Sequence, residues 1–278
     1  GSPDFTDADK HGTHVAGTIL SVTQNVEIIP VQVIADGPNQ PIKPFSYDLS
    51  PSENIRQGYV DPTNLSERVS RAIIYAINAG AQVINLSLGW PAGQNSDIIF
   101  ESIMEAQRRG IIIVAAAGND STNALLRPCQ YKGVICVAAH SPDGSMAWFT
   151  NFGYGVDIAA PGVGILSTIP THKRSRGLPG YPYDYLTGTS QATPLVTGVI
   201  AEMLSRGIPA NEVYARLILG ARPIQKELPV LVGPVQQAGK PINAPSTYAK
   251  NILSGLLDMT QSLQVKAQPL ILPADKEI

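Results

Sequence analysis

At 278 residues the chain has room for one large domain with a continuous core and no need of a second. A formal charge of -2 with 15% charged residues offers no electrostatic footprint for nucleic acid or an anionic membrane, so the expected partner is neutral or varied. No apolar run reaches the roughly 18 residues that would mark a membrane span.

Residues 1–10 are polar and acidic, with Asp4, Asp7 and Asp9 reading as a solvated loop. His11 to Leu20 reads as a helix whose small residues Gly12, Ala16 and Gly17 allow close backbone packing. Glu27 to Ile34, rich in Val and Ile, reads as a buried strand. The proline-rich stretch from Ala35 to Thr63 reads as a long surface loop or insertion. Ser66 to Ala79 has Val69, Ala72, Ile73, Ala76 and Ile77 at helical spacing, with Gly80 as the stop.

Gln82 to Leu88 follows as a strand running into a turn at Gly89, then come a helix from Asp97 to Arg109 and an apolar strand from Ile111 to Ala117. This alternation with continuous apolar strands predicts an α/β fold, a doubly wound and mainly parallel sheet with helices on both faces. Val134 to Ala139, Met146 to Phe149 and Val156 to Ala159 are short strand candidates separated by turn residues. Thr171 to Tyr185 reads as a surface loop. Gln191 to Arg206 is apolar enough to be a helix through the core, and Asn211 to Leu219 is a second helix with Asn211 as its cap. Ala221 to Ser246 is rich in Pro and Gly, with a hairpin candidate at Pro229 to Val235. Cys129 and Cys136 are spaced for a disulfide across a short turn, which would fit an oxidising compartment, or for two buried thiols. No second Cys or His pair makes them a zinc site.

Two stretches carry chemistry. Gly188-Thr189-Ser190-Gln191-Ala192-Thr193-Pro194 opens a helix at a serine. A serine hydroxyl attacks a carbonyl only when exposed beside a base, with amide donors aimed at the developing oxyanion, and a helix start leaves N–H groups free for that task. An N-cap serine on a core helix would read the same way. His11-Gly12-Thr13-His14-Val15-Ala16-Gly17 supplies two candidate bases, His11 and His14. The order His before Ser, without a Gly-x-Ser-x-Gly elbow, excludes the α/β-hydrolase arrangement, and helical crossovers disfavour the all-β chymotrypsin one. Asn119, after the apolar Ala115-Ala116-Ala117-Gly118, sits at the C-terminal edge of a strand, where such sheets hold their sites, though Asn followed by Asp120 also makes an ordinary turn.

Together the His-Gly-Thr-His-Val-Ala-Gly and Gly-Thr-Ser-x-Ala-Thr-Pro blocks resemble those of the subtilisin-like serine proteases, the subtilases. The resemblance implies a serine endopeptidase in which Ser190 is the nucleophile, His11 the base, His14 a packing residue and Asn119 the oxyanion donor. It also implies that Ser87, Leu88 and Gly89 lie along an extended peptide or protein substrate, with Ala116, Ala117 and Gly118 walling the adjoining pocket. Asp157 to Gly162 and Gly255 to Asp258 resemble later blocks. They extend the expected domain over residues 1–263, with insertions near 35–63, 171–185 and 221–246 and a tail from 264 to 278.

One element of the pattern is missing. Subtilases carry the orienting Asp in an Asp-Ser/Thr-Gly segment ending the first core strand, and this sequence has no such segment. Asp4, Asp7 and Asp9 are weak substitutes, too near His11 in sequence. The expectation is a first strand and catalytic Asp upstream of Gly1, truncated away or retained as a complementary N-terminal fragment or propeptide. A catalytically silent peptide-binding domain and a serine esterase or acyltransferase are the alternatives. No cofactor is required, structural calcium is frequent in the family but no dense oxygen-ligand loop stands out, and secretion is the expected destination.

Overall fold

Alternation along four parallel strands sorts the apolar residues of this chain onto two faces. The computed structural model describes residues 7, 10–33, 65–91, 97–171, 181–224, 236–237, 240–241 and 255–266. Its main sheet contains β1 (Val83–Leu86), β2 (Ile112–Ala116), β3 (Val134–His140) and β4 (Ile158–Pro161), hydrogen-bonded in that order and all parallel. Because successive side chains of a strand point to opposite faces, Ile113, Ala115, Cys136 and Ala138 enter one cluster while Val114, Ile135, Val137 and Ala139 enter the other.

Helices cover both faces, as expected for the fold class. α2 (Leu65–Asn78) and α3 (Asp97–Arg108) bring Val69, Ile73, Ile99 and Ile103 to the first cluster. α4 (Thr189–Ser205) brings Ala192, Val196, Val199, Ile200 and Met203 to the second, joined by Val213 and Leu217 of α5 (Ala210–Leu219). Ile103, Ile113, Ile200 and Met203 are fully shielded from solvent, and truncating such a side chain to Ala costs roughly 2–5 kcal/mol. No helix among the described residues is long and apolar enough to cross a membrane.

α1 (His11–Val22) packs against α4 and against a second, two-stranded antiparallel sheet of β5 (Ile165–Thr168) and β6 (Tyr183–Leu186). The small-residue face read from the sequence is used here. A Cβ on Gly17 would fall 2.1 Å from Thr168 Oγ1 and 2.6 Å from Ser167 Oγ, so a side chain there would push the helix off the hairpin. α6 (Met259–Gln264), capped by Asp258 accepting from Gln261 N–H at 2.9 Å, docks on α5, where the Arg216 guanidinium donates to the carbonyls of Leu263 and Val265.

Several local expectations are corrected. Residues 26–33 belong to no strand, despite their Val and Ile content, because no described segment pairs with them. Met146 to Phe149 reduces to one bridge between Met146 and His140, as the chain turns at once through residues 148–149. The Thr171 to Tyr185 loop reading missed β6, whose partner β5 lies before the loop and gives no local signal. α5 is capped by Pro209 rather than Asn211, which falls inside the helix. The hairpin candidate at residues 229–235 and the insertion at 35–63 lie outside the described residues.

Candidate active site

Ser190 is the second residue of α4, behind the N-cap Gly188. The first turn of a helix leaves N–H groups without intrahelical acceptors. Here the Thr189 N–H is taken by Asn119 Oδ1 at 2.9 Å, while the Ser190 N–H donates to nothing among the described residues. Pro194 then creates a second vacancy inside the helix. Having no N–H, it cannot bond to the carbonyl four residues back, which is that of Ser190. Ser87 fills the place: its hydroxyl donates to Ser190 O at 2.9 Å, and Ser190 Oγ donates to Ser87 O at 3.2 Å. Asn85 Nδ2 in turn donates to Ser87 Oγ at 3.0 Å, and Thr197 of α4 donates to Asn85 Oδ1 at 2.8 Å. The end of β1 and the start of α4 are thus bolted together at Ser190.

Asn119 is exposed at the end of β2, and its amide is oriented by its partners. Thr189 donates twice to Oδ1, from N–H at 2.9 Å and from Oγ1 at 3.0 Å, while Thr189 Oγ1 accepts the Gly118 N–H at 3.2 Å. With Oδ1 engaged by two donors, Nδ2 is the end left to face solvent. Gly118 has φ +107°, a conformation that favours glycine, and a Cβ there would lie 2.4 Å from Asn151 Nδ2. Asn151 is fully buried: Nδ2 donates to Ala117 O at 2.9 Å and Oδ1 accepts from the N–H groups of Asp120 and Thr122 at 2.9 and 3.3 Å. It shapes the turn that presents Asn119. The sequence reading missed Asn151, though a lone Asn after Phe149-Thr150 carried no signal that it would be buried.

These groups border a pocket of about 280 Å³ lined by Leu88, Gly89, Ala116, Gly118, Asn119, Asp120, Leu126, Thr189 and Ser190. Ala117 is not part of it. Strand alternation sends its side chain into the core at 0% exposure. Leu126, which the sequence reading did not single out, stands between the two glycine walls. Its Cδ1 would be 3.0 Å from a Cβ on Gly118 and 3.1 Å from one on Gly89. Trp90 and Arg127 exchange backbone hydrogen bonds of 2.9 Å, which fix the 88–90 segment beside Leu126. A disulfide joins Cys129 to Cys136 of β3 and ties this loop to the sheet.

The two histidines part company. His14 is fully buried, and its Nε2 lies 3.0 Å from Ile165 O and 3.2 Å from Asp184 O, so it donates to both carbonyls and carries the proton there. Burial holds its pKa below the ordinary histidine value, against the opposing pull of those two carbonyls. His14 is therefore a neutral packing residue. His11 lies partly exposed on the first turn of α1, and its ring makes no hydrogen bond to Ser190 among the described residues. Asp7 serves the helix start, its Oδ2 accepting the Thr13 N–H at 2.7 Å, and it makes no hydrogen bond to the His11 ring among the described residues. Asp4 and Asp9 lie outside the described residues. No group of three or more His, Cys, Asp or Glu side chains among the described residues is placed to hold a metal ion, so none offers calcium a cluster of carboxylates.

The chain has relatives in sequence and in fold. The model of the subtilase family matches residues 2–221. The chain is 35% identical over 204 residues to a thermophilic serine proteinase of Bacillus sp. (strain AK1), covering 73% of this chain and 45% of that protein. It is 32% identical over 204 residues to subtilisin BL of Lederbergia lenta, covering 72% of this chain and 65% of that one. Among solved structures, that of the prenylagaramide maturation protease PagA superposes with a TM-score of 0.63 at 27% identity, over 92% of this chain and 81% of that one. The chain spans about half the length of the first of these curated relatives.

Proposed function

Because this chain belongs to the subtilase family, we propose that it acts as a serine endopeptidase, with Ser190 as nucleophile and His11 as general base. The observation that carries this reading is the juxtaposition at one pocket of the Ser190 hydroxyl, its free N–H and the Asn119 amide.

In the proposed reaction the Ser190 hydroxyl leaves the Ser87 carbonyl and attacks the peptide carbonyl carbon, while the imidazole of His11 takes its proton. The Ser190 N–H and Asn119 Nδ2 receive the oxyanion, and Thr189 already holds the amide so that it need not reorient as charge develops. Collapse of the tetrahedral intermediate breaks the C–N bond, and the imidazolium hands its proton to the leaving amine. Water, deprotonated by the same imidazole, then attacks the acyl-enzyme and releases Ser190. An extended substrate would add as a strand along Leu88 and Gly89, with main-chain bonds giving grip and the pocket giving selectivity.

The acid that orients His11 is proposed to come from a complementary N-terminal segment, connected or separate. Two features support it: the free edge of β1 has no strand partner among the described residues, and residues 26–33 run without a ladder. Destination outside the cytoplasm is proposed on the Cys129–Cys136 disulfide. The chemistry itself needs no cofactor. The silent peptide-binding alternative draws on the hydroxyl of Ser190 being engaged by Ser87 rather than by an imidazole.

Reaction with a fluorophosphonate probe separates these readings. In the protein together with the segment that supplies the acid, an activated Ser190 is labelled, Ser190→Ala is not, and peptide amides are turned over; resistance of that complete form to the probe sinks the peptidase, and ester turnover without amide turnover favours the esterase.

A further inference from the structure

Lys10, the residue immediately before His11, adopts a left-handed backbone conformation with φ 71° and ψ -10°. Nothing in a lysine favours that region, where Cβ is crowded against the backbone. Its main chain is tied by its N–H donating to Asp7 O at 3.3 Å and its carbonyl accepting from His14 N–H at 3.1 Å, and its side chain is anchored at the far end. Lys10 Nζ donates to Asp184 Oδ2 at 2.6 Å, and the Asp184 side chain is only 3% exposed.

Asp184 lies on β6, the strand that runs directly into Gly188 and Ser190. Its Oδ1 accepts from the Tyr185 N–H at 3.0 Å, and its main-chain carbonyl accepts from His14 Nε2 at 3.2 Å. One residue therefore grips α1 on both sides of His11, through Lys10 before it and His14 after it. The neighbouring strand adds two anchors to the same turn. Ser167 Oγ donates to His14 O at 2.8 Å and Thr168 Oγ1 to Thr13 O at 3.1 Å. A charge-assisted bond to a buried carboxylate is directional, and removing one partner leaves the other charge uncompensated.

We propose that the Lys10–Asp184 ion pair is a positioning device that sets the His11 imidazole at a fixed distance from Ser190, because the strand that receives the lysine also delivers the serine. Lys10 and Asp184 are positioning residues here, not catalytic ones. The inference rests on the reading of His11 and Ser190 as base and nucleophile.

The test compares Lys10→Met, Lys10→Gly, Lys10→Arg and Asp184→Asn with the parent protein in fluorophosphonate labelling rate, in kcat and KM on a chromogenic peptide, and in melting temperature. Loosening the base by about 1 Å is expected to lower the labelling rate and kcat of Lys10→Met by roughly 10- to 100-fold, with KM little changed. Lys10→Gly, which relieves the left-handed backbone, is expected to recover melting temperature but not rate. Lys10→Arg keeps the charge and is expected to restore most of the rate. Asp184→Asn should reproduce Lys10→Met, and the double variant should be no worse than either single one.

Parent-like labelling by Lys10→Met, full rescue of rate by Lys10→Gly, or a loss confined to KM would overturn the inference. Should Asp184→Asn fail to fold, the Lys10 series decides alone, with Lys10→Arg as the member that keeps a positive charge against the Asp184 carboxylate. A parent protein that the probe does not label would remove the underlying reading, an outcome distinct from a labelled parent with unaffected variants.

Discussion

Ser87 and Ser190 exchange hydrogen bonds, each hydroxyl donating to the other's main-chain carbonyl, at 2.9 and 3.2 Å. The exchange exists because Pro194 cannot donate to the Ser190 carbonyl, so an outside hydroxyl takes that place. It couples the end of β1 to the start of α4 and holds the hydroxyl of the proposed nucleophile against the Ser87 carbonyl.

Ser87→Ala is expected to cost about 1–3 kcal/mol of stability, the net value of the two hydrogen bonds its hydroxyl makes with Ser190 O and Asn85 Nδ2, measured by urea unfolding. It should also slow fluorophosphonate labelling several-fold, since the start of α4 loses its tie. Pro194→Ala restores the intrahelical donor, so the combination with Ser87→Ala should be less damaging than the two losses added. Strict additivity in the double-mutant cycle would contradict the coupling.

Asn119 and Thr189 define the second test. Removing one oxyanion donor lowers kcat by about 10²–10³-fold, a magnitude that comes from a subtilisin's own asparagine, and Asn119→Ala is expected to fall in that range with KM nearly unchanged. Thr189→Val removes one of the two donors to Asn119 Oδ1 but keeps the N–H, so its loss should be far smaller, roughly 2- to 12-fold for one hydrogen bond. Equal effects of both variants would show that orientation of the amide, rather than its presence, dominates.

Leu126 sets the size of the pocket. Its side chain stands between Gly89 and Gly118, and in the proposed reaction this pocket would take the side chain next to the scissile bond. Leu126→Ala is expected to raise kcat/KM for peptides with Leu or Phe at that position by about tenfold or more relative to Ala, since methylene-scale changes in an apolar pocket are worth 10- to 200-fold. An unchanged preference across a chromogenic peptide set would place the selectivity elsewhere.

Stability should fall on the acid side of neutrality. Burial lowers the pKa of His14 in the folded state, and burial does the same for His140, against the hydrogen bond it donates to the Ser141 carbonyl. The unfolded chain therefore binds protons that the folded one refuses, beginning near the ordinary histidine value of about 6.5, so stability is lost as pH falls below it. The slope is at most about 1.4 kcal/mol per pH unit for each histidine. A further loss is expected below about 4.3, the ordinary Glu value, because Glu202, bonded by Thr23 and Arg206, has its pKa lowered. His14→Gln, whose amide can donate to the same carbonyls, should flatten the first limb in melting curves recorded between pH 7.5 and 5.5. A slope identical to the parent's would show that His14 is not one of the groups responsible.

The sequence by itself determined what depends on near neighbours. Continuous apolar runs located the strands whose residues divide between the two core clusters, helical spacing located α2, an apolar run located α4, and two short blocks placed Ser190 and His11 within one family. Small residues at Gly17 announced a close helix contact, and the approach of Thr168 is that contact.

Only the tertiary structure decided matters that hang on partners distant in sequence. Glu27 to Val33 has the composition of a strand but no ladder, since a strand is made by its neighbour as much as by its own side chains. Two histidines on one helical turn look alike until Ile165 and Asp184 arrive to bury one of them. Leu126 gained its place in the pocket, and Asp184 its hold on Lys10, from the folding of remote segments onto each other. Such contacts are set by three-dimensional closure, and no local pattern of residue types encodes them.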